Sequence, residues 1–464
     1  MEKMNNNENN RKPNTDKEIF SENKFNNNNT GRIRRSPVSS EIKGIANADN
    51  EMVVKKTVNK RKKRKLRTSR KKNMYRSMRI TAIILISVMV LILGLCVAWK
   101  LTPGSFKINM IKEMSKSQFL RNLIAVKLEN DYVEKFQDTD FNEADIVVDE
   151  VVKKKLKGYK NIALFGFDAR DNTFDSGTRS DTIIIVSINN ETGAVKMVSV
   201  YRDCYLKIFD ENGSTNYFKV NSAFSKGGAQ AAISTLNANL DLNITDYIMV
   251  NFAGLTEIVD IMDGVDINIT DAELELINLY STEMCEVTGD KYKPLKKSGN
   301  VHLNGVQATA YCRIRYVAFY DASGNVLKDD FGRTARQRLV MEKLIAKAKS
   351  SGVKKLLSLT ETIMNLNTAK QTYLKTSLDY DEIMDFVPIL IDYNLDSSGA
   401  FPYTISTPTV DGASLVVAKG LAYNVSVLHK NLFGDENYEP SASVVEISEY
   451  IEDYTDVHEQ RLPE

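Results

Sequence analysis

The chain has 464 residues, 42% of them hydrophobic, and its 62 Lys+Arg against 60 Asp+Glu leave a net charge of +2. Length alone allows two or three domains, but the near-neutral total hides an asymmetry: residues 1–79 hold 23 basic and 8 acidic side chains, so residues 80–464 carry a net −13. With three histidines and no G-x-S-x-G, H-E-x-x-H, C-x-x-C or G-x-x-x-x-G-K-S/T, serine hydrolase, zinc protease and P-loop ATPase chemistries lack their parts.

Residues 1–50 are rich in Asn, Lys and Glu with little apolar periodicity, and predict disorder. Between Lys55 and Arg79 there are 14 Lys or Arg and no acid, which completes a basic tail over 1–79. Ile80 to Trp99 (ITAIILISVMVLILGLCVAW) carries no charge over 20 residues. As a helix it is about 30 Å long, the thickness of a bilayer's hydrocarbon core. A core helix of that length would show a polar face, and a cleaved signal peptide a shorter apolar run. The basic run predicts a membrane protein with a cytoplasmic N-terminus, a single pass over 80–99, and everything from Lys100 outside.

Residues 100–157 mix charged and apolar positions at near-helical spacing, which predicts a stalk and a lead-in helix. A main domain over 158–352 follows. Strands are predicted at Asn161–Phe167, Asp181–Ile188, Ala194–Val200, Tyr247–Phe252 and Gly264–Ile269, with helices at Lys226–Leu240, Leu255–Met262 and Arg333–Lys349. Interleaved strands and helices predict an α/β fold, a mixed central sheet sandwiched by helices. Residues 353–434 read as the C-terminal part of the outer domain, and 435–464 as an acidic tail with no predicted fold. Only Cys204, Cys285 and Cys312 lie outside, too sparse for a disulfide framework, although one pair could form.

Arginine and aspartate gather at strand ends. Asp168 and Arg170 leave the first strand, Arg179 and Asp181 open the second, and Arg202 and Asp203 leave the third. Arg313 and Arg315 in CRIRY alternate as on one face of a strand, and Asp330, Arg333, Arg336 and Gln337 surround a helix start, the last three on one helix face. Arginine forks pair with phosphate oxygens and carboxylates beside them bind a hard cation such as Mg²⁺, so this set suits a pyrophosphate. The same spacing also fits solvated faces and structural ion pairs, the commoner outcome for charged residues.

Six ordered segments, GFDARDNTFDSGTRSDTIII (166–185), SVYRDCYL (199–206), KVNSAFSKGG (219–228), IMDGVDINI (261–269), HLNGVQATAYCRIRY (302–316) and DDFGRTARQR (329–338), resemble the LytR-CpsA-Psr family of bacterial cell-wall enzymes. The resemblance implies an LCP-type domain and a phosphotransferase that moves a glycopolymer, teichoic acid or capsule, from undecaprenyl pyrophosphate onto a peptidoglycan acceptor. It implies Asp168 and Asp181 as Mg²⁺ ligands, and Arg179, Arg202, Arg313, Arg315 and Arg333 as the pyrophosphate clamp. Arg170, Lys219 and Asn221 are implied in substrate binding, with Arg336 and Gln337 supporting the clamp. Asp203 is a candidate for orienting Arg202 or taking the acceptor's proton; beside an arginine it is a poor base, so a structural role comes first. The family's lipid tail lies between sheet and helices, which points to Ile183, Ile185, Val198, Val200, Phe224 and Tyr247 as lining residues, ordinary core packing being the default for any one of them. Tyr201 and Arg338 depart from the family pattern, which commonly has Pro and Gln there.

Two other classes of function compete. The basic tail could make the protein a membrane-bound regulator of the transcriptional-attenuator type. No recognition helix precedes the span, and a polybasic strip beside a membrane binds anionic headgroups more simply, so no nucleic-acid partner is expected. The same clamp would also serve a noncatalytic polyprenyl-phosphate glycan binder, or a hydrolase in which water replaces the acceptor.

Overall fold

A computed structural model of the chain describes residues 138, 141–168, 174, 178–321, 324–364, 366–367, 372–379, 382–383, 386 and 395–462. All fall in the compact unit Gly94–Glu464. The basic tail, the span Ile80–Trp99 and Arg170 lie outside the described residues, and among the described residues no helix is long and apolar enough to cross a membrane.

The first helix, α1 (Glu150–Lys155), starts where the Asp149 carboxylate accepts from the backbone N–H groups of Val151 and Val152. Its Val152 and the following Leu156 are buried in the main core, so the domain begins before residue 158. Three antiparallel strands follow, β1 (Tyr159–Phe167), β2 (Ser180–Asn189) and β3 (Val195–Val200), and then a hairpin of β4 (Tyr205–Phe209) and β5 (Thr215–Lys219). Helix α2 (Ser222–Leu240) is interrupted at Gly227–Gly228, where a Cβ on Gly227 would come within 2.6 Å of the Glu211 nitrogen. Next come β6 (Asp246–Asn251), α3 (Phe252–Ile261), β7 (Val265–Ile269), α4 (Asp271–Thr288), β8 (Gly299–Leu303) and α5 (Gly305–Cys312). The short hairpin β9 (Phe319–Tyr320) and β10 (Val326–Leu327) leads into α6 (Asp329–Ser350) and α7 (Gly352–Met364). The chain closes with β11 (Leu374–Thr376), β12 (Leu395–Phe401), α8 (Leu421–Phe433) and α9 (Ala442–Thr455).

The central sheet has the order β11-β6-β1-β2-β3-β12. β6 runs parallel to β1 and β12 parallel to β3, while the other neighbours are antiparallel, so the sheet is mixed as expected. Side chains alternate across it. Phe165, Ile183, Ile185 and Val198 face α2, α8 and α9 and make the closed core; Leu164, Ile184, Ile248 and Val250 face α3, α6 and α7. Strand β7 pairs only with β8, Val265 opposite Leu303, in a ribbon apart from the main sheet.

Two sequence expectations are corrected. CRIRY is not a strand: Asn304 and Gln307 form a capping box that starts α5, which runs to Cys312, and the Arg313 N–H still bonds back to Ala310. Residues 435–464 are not a tail without a fold. Ser441 caps α9, whose Val444, Ile447 and Ile451 enter the main core at helical spacing, and Ser441 also donates to Asp241 at the end of α2 (2.7 Å). All three described cysteines are free.

His429 on α8 is fully buried, donates through Nε2 to the Leu240 carbonyl (3.1 Å) and stacks on Tyr438 at 3.5 Å. Burial pulls its pKa down to about 4, which the Leu240 and Asp241 contacts only partly offset. Below about pH 6.5 the unfolded chain then takes up a proton that the folded chain refuses. The stabilisation from a neutral His429 is complete above that pH and declines as pH falls towards 4. Equilibrium unfolding at pH 7 and pH 5 should therefore show His429→Phe losing about 2 kcal/mol less than the parent chain over that interval.

Candidate active site

Strand ends and the start of α6 deliver the charged residues to one place, as their spacing predicts. Asp181, second residue of β2, is the hub. Its Oδ1 accepts from Arg202 Nη1 (2.8 Å), and its Oδ2 lies 3.3 Å from Arg333 Nη1 and 3.7 Å from Arg315 Nη2. Arg333 also donates to the Asp181 carbonyl (3.0 Å). Asp330 mirrors Asp181: its Oδ1 stands 2.9 Å from Arg333, 3.4 Å from Arg202 and 3.6 Å from Arg315. Asp203 lies 3.1 Å from Lys219 Nζ and 3.6 Å from Arg202 Nε. Asn221 is buried next to this group, its N–H bonded to the Arg202 carbonyl, and its Oδ1 has no hydrogen-bond partner among the described residues. Burial pulls Arg202 down, but Asp181, Asp330 and Asp203 outweigh it and its pKa is raised. In the deeper Arg333, burial wins and the pKa is lowered.

The remaining expected residues divide. Arg313 reaches Glu283 (3.1 Å) and lies over the rings of Phe252 and Tyr280, on the wall of the same chamber as Arg315. Arg179 is exposed and makes no ion pair among the described residues. Arg336 is fully buried: Nε and Nη2 meet Glu273, and its other donors go to the carbonyls of Ile314, Val317 and Ala318. It does not line the chamber; it holds in place the loop that carries Arg315. Gln337 donates to the Cys312 carbonyl (3.4 Å) and lines the chamber. Tyr201 and Arg338 are electrostatic neighbours. Burial raises Tyr201 to about 12, and Arg338, lowered by burial, bonds to Ser199 Oγ and the Gly399 carbonyl.

Asp168, Asp181, Arg313, Arg315, Arg333 and Tyr316 border a polar chamber of about 310 Å³. Behind it lies an apolar cavity of about 410 Å³ between the sheet and helices α3, α6 and α7, lined by residues such as Leu164, Ile184, Ile248, Leu344 and Leu359. Gly166, Thr182, Phe252, Cys312 and Gln337 belong to both walls, so the two spaces adjoin. A Cβ on Gly166 would sit 2.8 Å from the Thr182 Cβ, so only glycine lets β1 and β2 close at this junction. The apolar space is on the sheet face opposite to the one expected: Ile183, Ile185, Val198, Val200, Phe224 and Tyr247 are closed core, and on β2 and β6 their neighbours Thr182, Ile184 and Ile248 line the cavity instead. With a period of two, β2 and β6 are right and their face is reversed, while no residue of β3 or α2 lines the cavity.

Among the described residues no group of three or more His, Cys, Asp or Glu could hold a metal by itself. Two chamber carboxylates, Asp168 and Asp181, fit Mg²⁺ in the manner of sites completed by substrate phosphate and water. Both Asp181 oxygens already face guanidinium groups, so an ion there would compete with Arg202 and Arg333 for them. The resemblance did not supply Asp330, Tyr280 or Glu283. The i, i+3 spacing of Asp330 and Arg333 was the available signal for the first; nothing in the sequence ties α4 to the chamber.

The LytR_cpsA_psr family matches residues 123–429. The chain belongs to this family. Among its relatives, a protein of Bacillus cereus named polyisoprenyl-teichoic acid–peptidoglycan teichoic acid transferase TagU is 35% identical over 236 residues, covering 51% of this chain and 66% of the relative. The Enterococcus faecalis protein of the same name is 31% identical over 234 residues, covering 50% and 65%. This chain thus spans just under two thirds of the length of either. A solved structure of the family, TagT bound to LI-WTA, is 23% identical, with 60% of this chain and 91% of that one covered at a TM-score of 0.45.

Asp330 neutralises the arginines but would also oppose an incoming anion. Replacing it with Asn should lower the thermal midpoint by a few degrees, because three guanidiniums lose a counter-charge, and should tighten inorganic pyrophosphate about tenfold at low salt. Calorimetric titration of the full chain reads the second effect; weaker pyrophosphate binding would mean that Asp330 positions the arginines instead.

Proposed function

We propose that this protein is a membrane-anchored phosphotransferase that takes a glycopolymer from undecaprenyl pyrophosphate and joins it to a peptidoglycan hydroxyl, with wall teichoic acid the first cargo to test and capsule polymer the second. One observation carries the reading: an arginine–carboxylate chamber opens into an apolar cavity through shared wall residues. A molecule that satisfies both at once has a multiply charged phosphate head and a long apolar tail. The names of the TagU relatives support the same class of substrate. The uncharged run Ile80–Trp99 and the basic residues before it support anchoring with the described domain on the outer face.

In this reading Arg202, Arg315 and Arg333 exchange their carboxylate partners for phosphate oxygens as the lipid enters, and Arg313 closes the chamber on its Tyr280 side. The acceptor oxygen forms a bond to the glycan-side phosphorus while the bond from that phosphorus to the bridging oxygen breaks. Undecaprenyl phosphate leaves with the bridging oxygen, and the hydroxyl proton is lost to solvent. Guanidiniums fixed before reaction stabilise the charge that gathers on the bridging and non-bridging oxygens. Mg²⁺ held by Asp168 and Asp181 with phosphate oxygens supplies further neutralisation when bound. Asp203, held by Lys219 and Arg202, orients Arg202.

The test uses the full chain in detergent and a short glycan on undecaprenyl pyrophosphate, and reads released undecaprenyl phosphate with and without Mg²⁺ and peptidoglycan oligomers. We expect release that needs both, reduced roughly 10²- to 10³-fold by Arg202→Ala and by Asp181→Ala. Release without acceptor would make the protein a hydrolase, and tight binding without turnover a carrier. Met341→Trp, which fills the cavity, should weaken binding of the long-chain lipid and leave a short-chain analogue unaffected.

A further inference from the structure

Four tyrosines from two distant parts of the chain meet on the surface beside the charged cluster. Tyr205 and Tyr217 come from the β4–β5 hairpin, and Tyr450 and Tyr454 from successive turns of α9. Tyr217 and Tyr450 stack at 3.8 Å between ring centroids, and Tyr205 and Tyr454 at 5.6 Å. Tyr450 and Tyr454 are parallel within 8° at 6.1 Å, and each is 43% exposed although one face of its ring is covered by a hairpin tyrosine. The two helix rings, parallel to each other and partly exposed, thus lie against rings from the hairpin.

Anchoring α9 does not require this. Val444, Ile447 and Ile451 already seat the helix in the core, and the tyrosines lie on its flank. Helix α9 also begins at Ala442, beyond the residues 123–429 that match the family.

The polar rim narrows the occupant. Asp411 accepts from the Tyr454 hydroxyl (2.6 Å), Glu446 lies one turn before Tyr450, and Glu449 and Asp453 are exposed on the same helix, against Lys207 and Lys219, which pair across the hairpin with Tyr217 and Tyr205, the second already matched by Asp203. An acidic rim repels a polyanion. Carboxylates and phenol hydroxyls beside flat apolar rings instead match a chain of uncharged sugars, whose hydroxyls need acceptors and whose ring faces are apolar.

The position fits as well. Tyr205 is the cross-strand partner of Lys219, whose ammonium meets Asp203, and Asp203 follows Arg202. Arg202 belongs to the cluster through Asp181 and Asp330, and Asp203 and Lys219 border it. The hairpin thus runs from the charged cluster out to the tyrosines.

We propose that Tyr205, Tyr217, Tyr450 and Tyr454 form a binding platform for an uncharged saccharide chain, the acceptor glycan strand of the transfer reaction. It rests on the proposed transferase for its place in the reaction, but the binding itself can be read without turnover. Chitotetraose titrated into the full chain in detergent micelles is the probe, with poly(glycerol phosphate) as the anionic comparison. Chitotetraose should bind and the polyanion should not, and Tyr450→Ala/Tyr454→Ala should weaken chitotetraose roughly tenfold. Tyr450→Phe/Tyr454→Phe, which keeps the ring faces, should retain most of the affinity, and both double variants should keep the parent's binding of octaprenyl pyrophosphate. Equal chitotetraose binding by the parent chain and the alanine variant, no chitotetraose binding at all, or preference for the polyanion would overturn the platform. Failure of the parent chain to bind octaprenyl pyrophosphate would overturn the transferase reading and leave the saccharide result standing.

Discussion

The site depends on one constraint, the repulsion among three guanidinium groups that two carboxylates must offset. Arg202, Arg315 and Arg333 converge at the end of a β-sheet where water is partly excluded, and without counter-charges their mutual repulsion would push them apart. Asp181 and Asp330 hold them together, each touching all three. The arrangement is preformed and provisional at once. It keeps the arginines within reach of a common centre at little reorganisation cost, and it resists any anion too weakly charged to displace a carboxylate. In the proposed reaction a pyrophosphate, with several oxygens to share among the three forks, would meet that requirement better than a simple monoanion.

The adjoining cavity follows from the sheet. Alternation along β1 and β2 sends one set of side chains into a packed core with α2, α8 and α9, and the other towards α3, α6 and α7, where packing leaves a gap. Closely packed interiors rarely keep a space of that size, and its apolar wall favours a hydrocarbon occupant over water.

Much of this was legible in the sequence. The three leading strands, the convergence of Asp181, Arg202 and Arg333, and the mixed sheet follow from apolar runs and from charged residues placed at their ends. The failures have physical causes. CRIRY alternates like a strand, but the capping box at Asn304 and Gln307 commits the chain to a helix that carries through Cys312 before it can extend. The acidic C-terminal segment has too many exposed carboxylates to stand out in composition, yet Val444, Ile447 and Ile451 keep a helical stripe beneath them. On β2 and β6 the lining of the cavity was displaced by one residue, because apolar runs such as Thr182–Val186 are hydrophobic on both faces and give no sign of which face is filled.

Glu273 joins two structures that look separate. Its Oε2 accepts from the backbone N–H and the hydroxyl of Thr270 and so starts α4, while its Oε1 takes the buried Arg336, whose other donors hold the carbonyls of Ile314, Val317 and Ala318. One carboxylate therefore sets both where a helix begins and where the loop bearing Arg315 lies. Drift at these positions is constrained as a group: a change at residue 270 or 273 that reseats the start of α4 also reseats an arginine of the chamber, and only a matching change at 336 or in the loop can restore it.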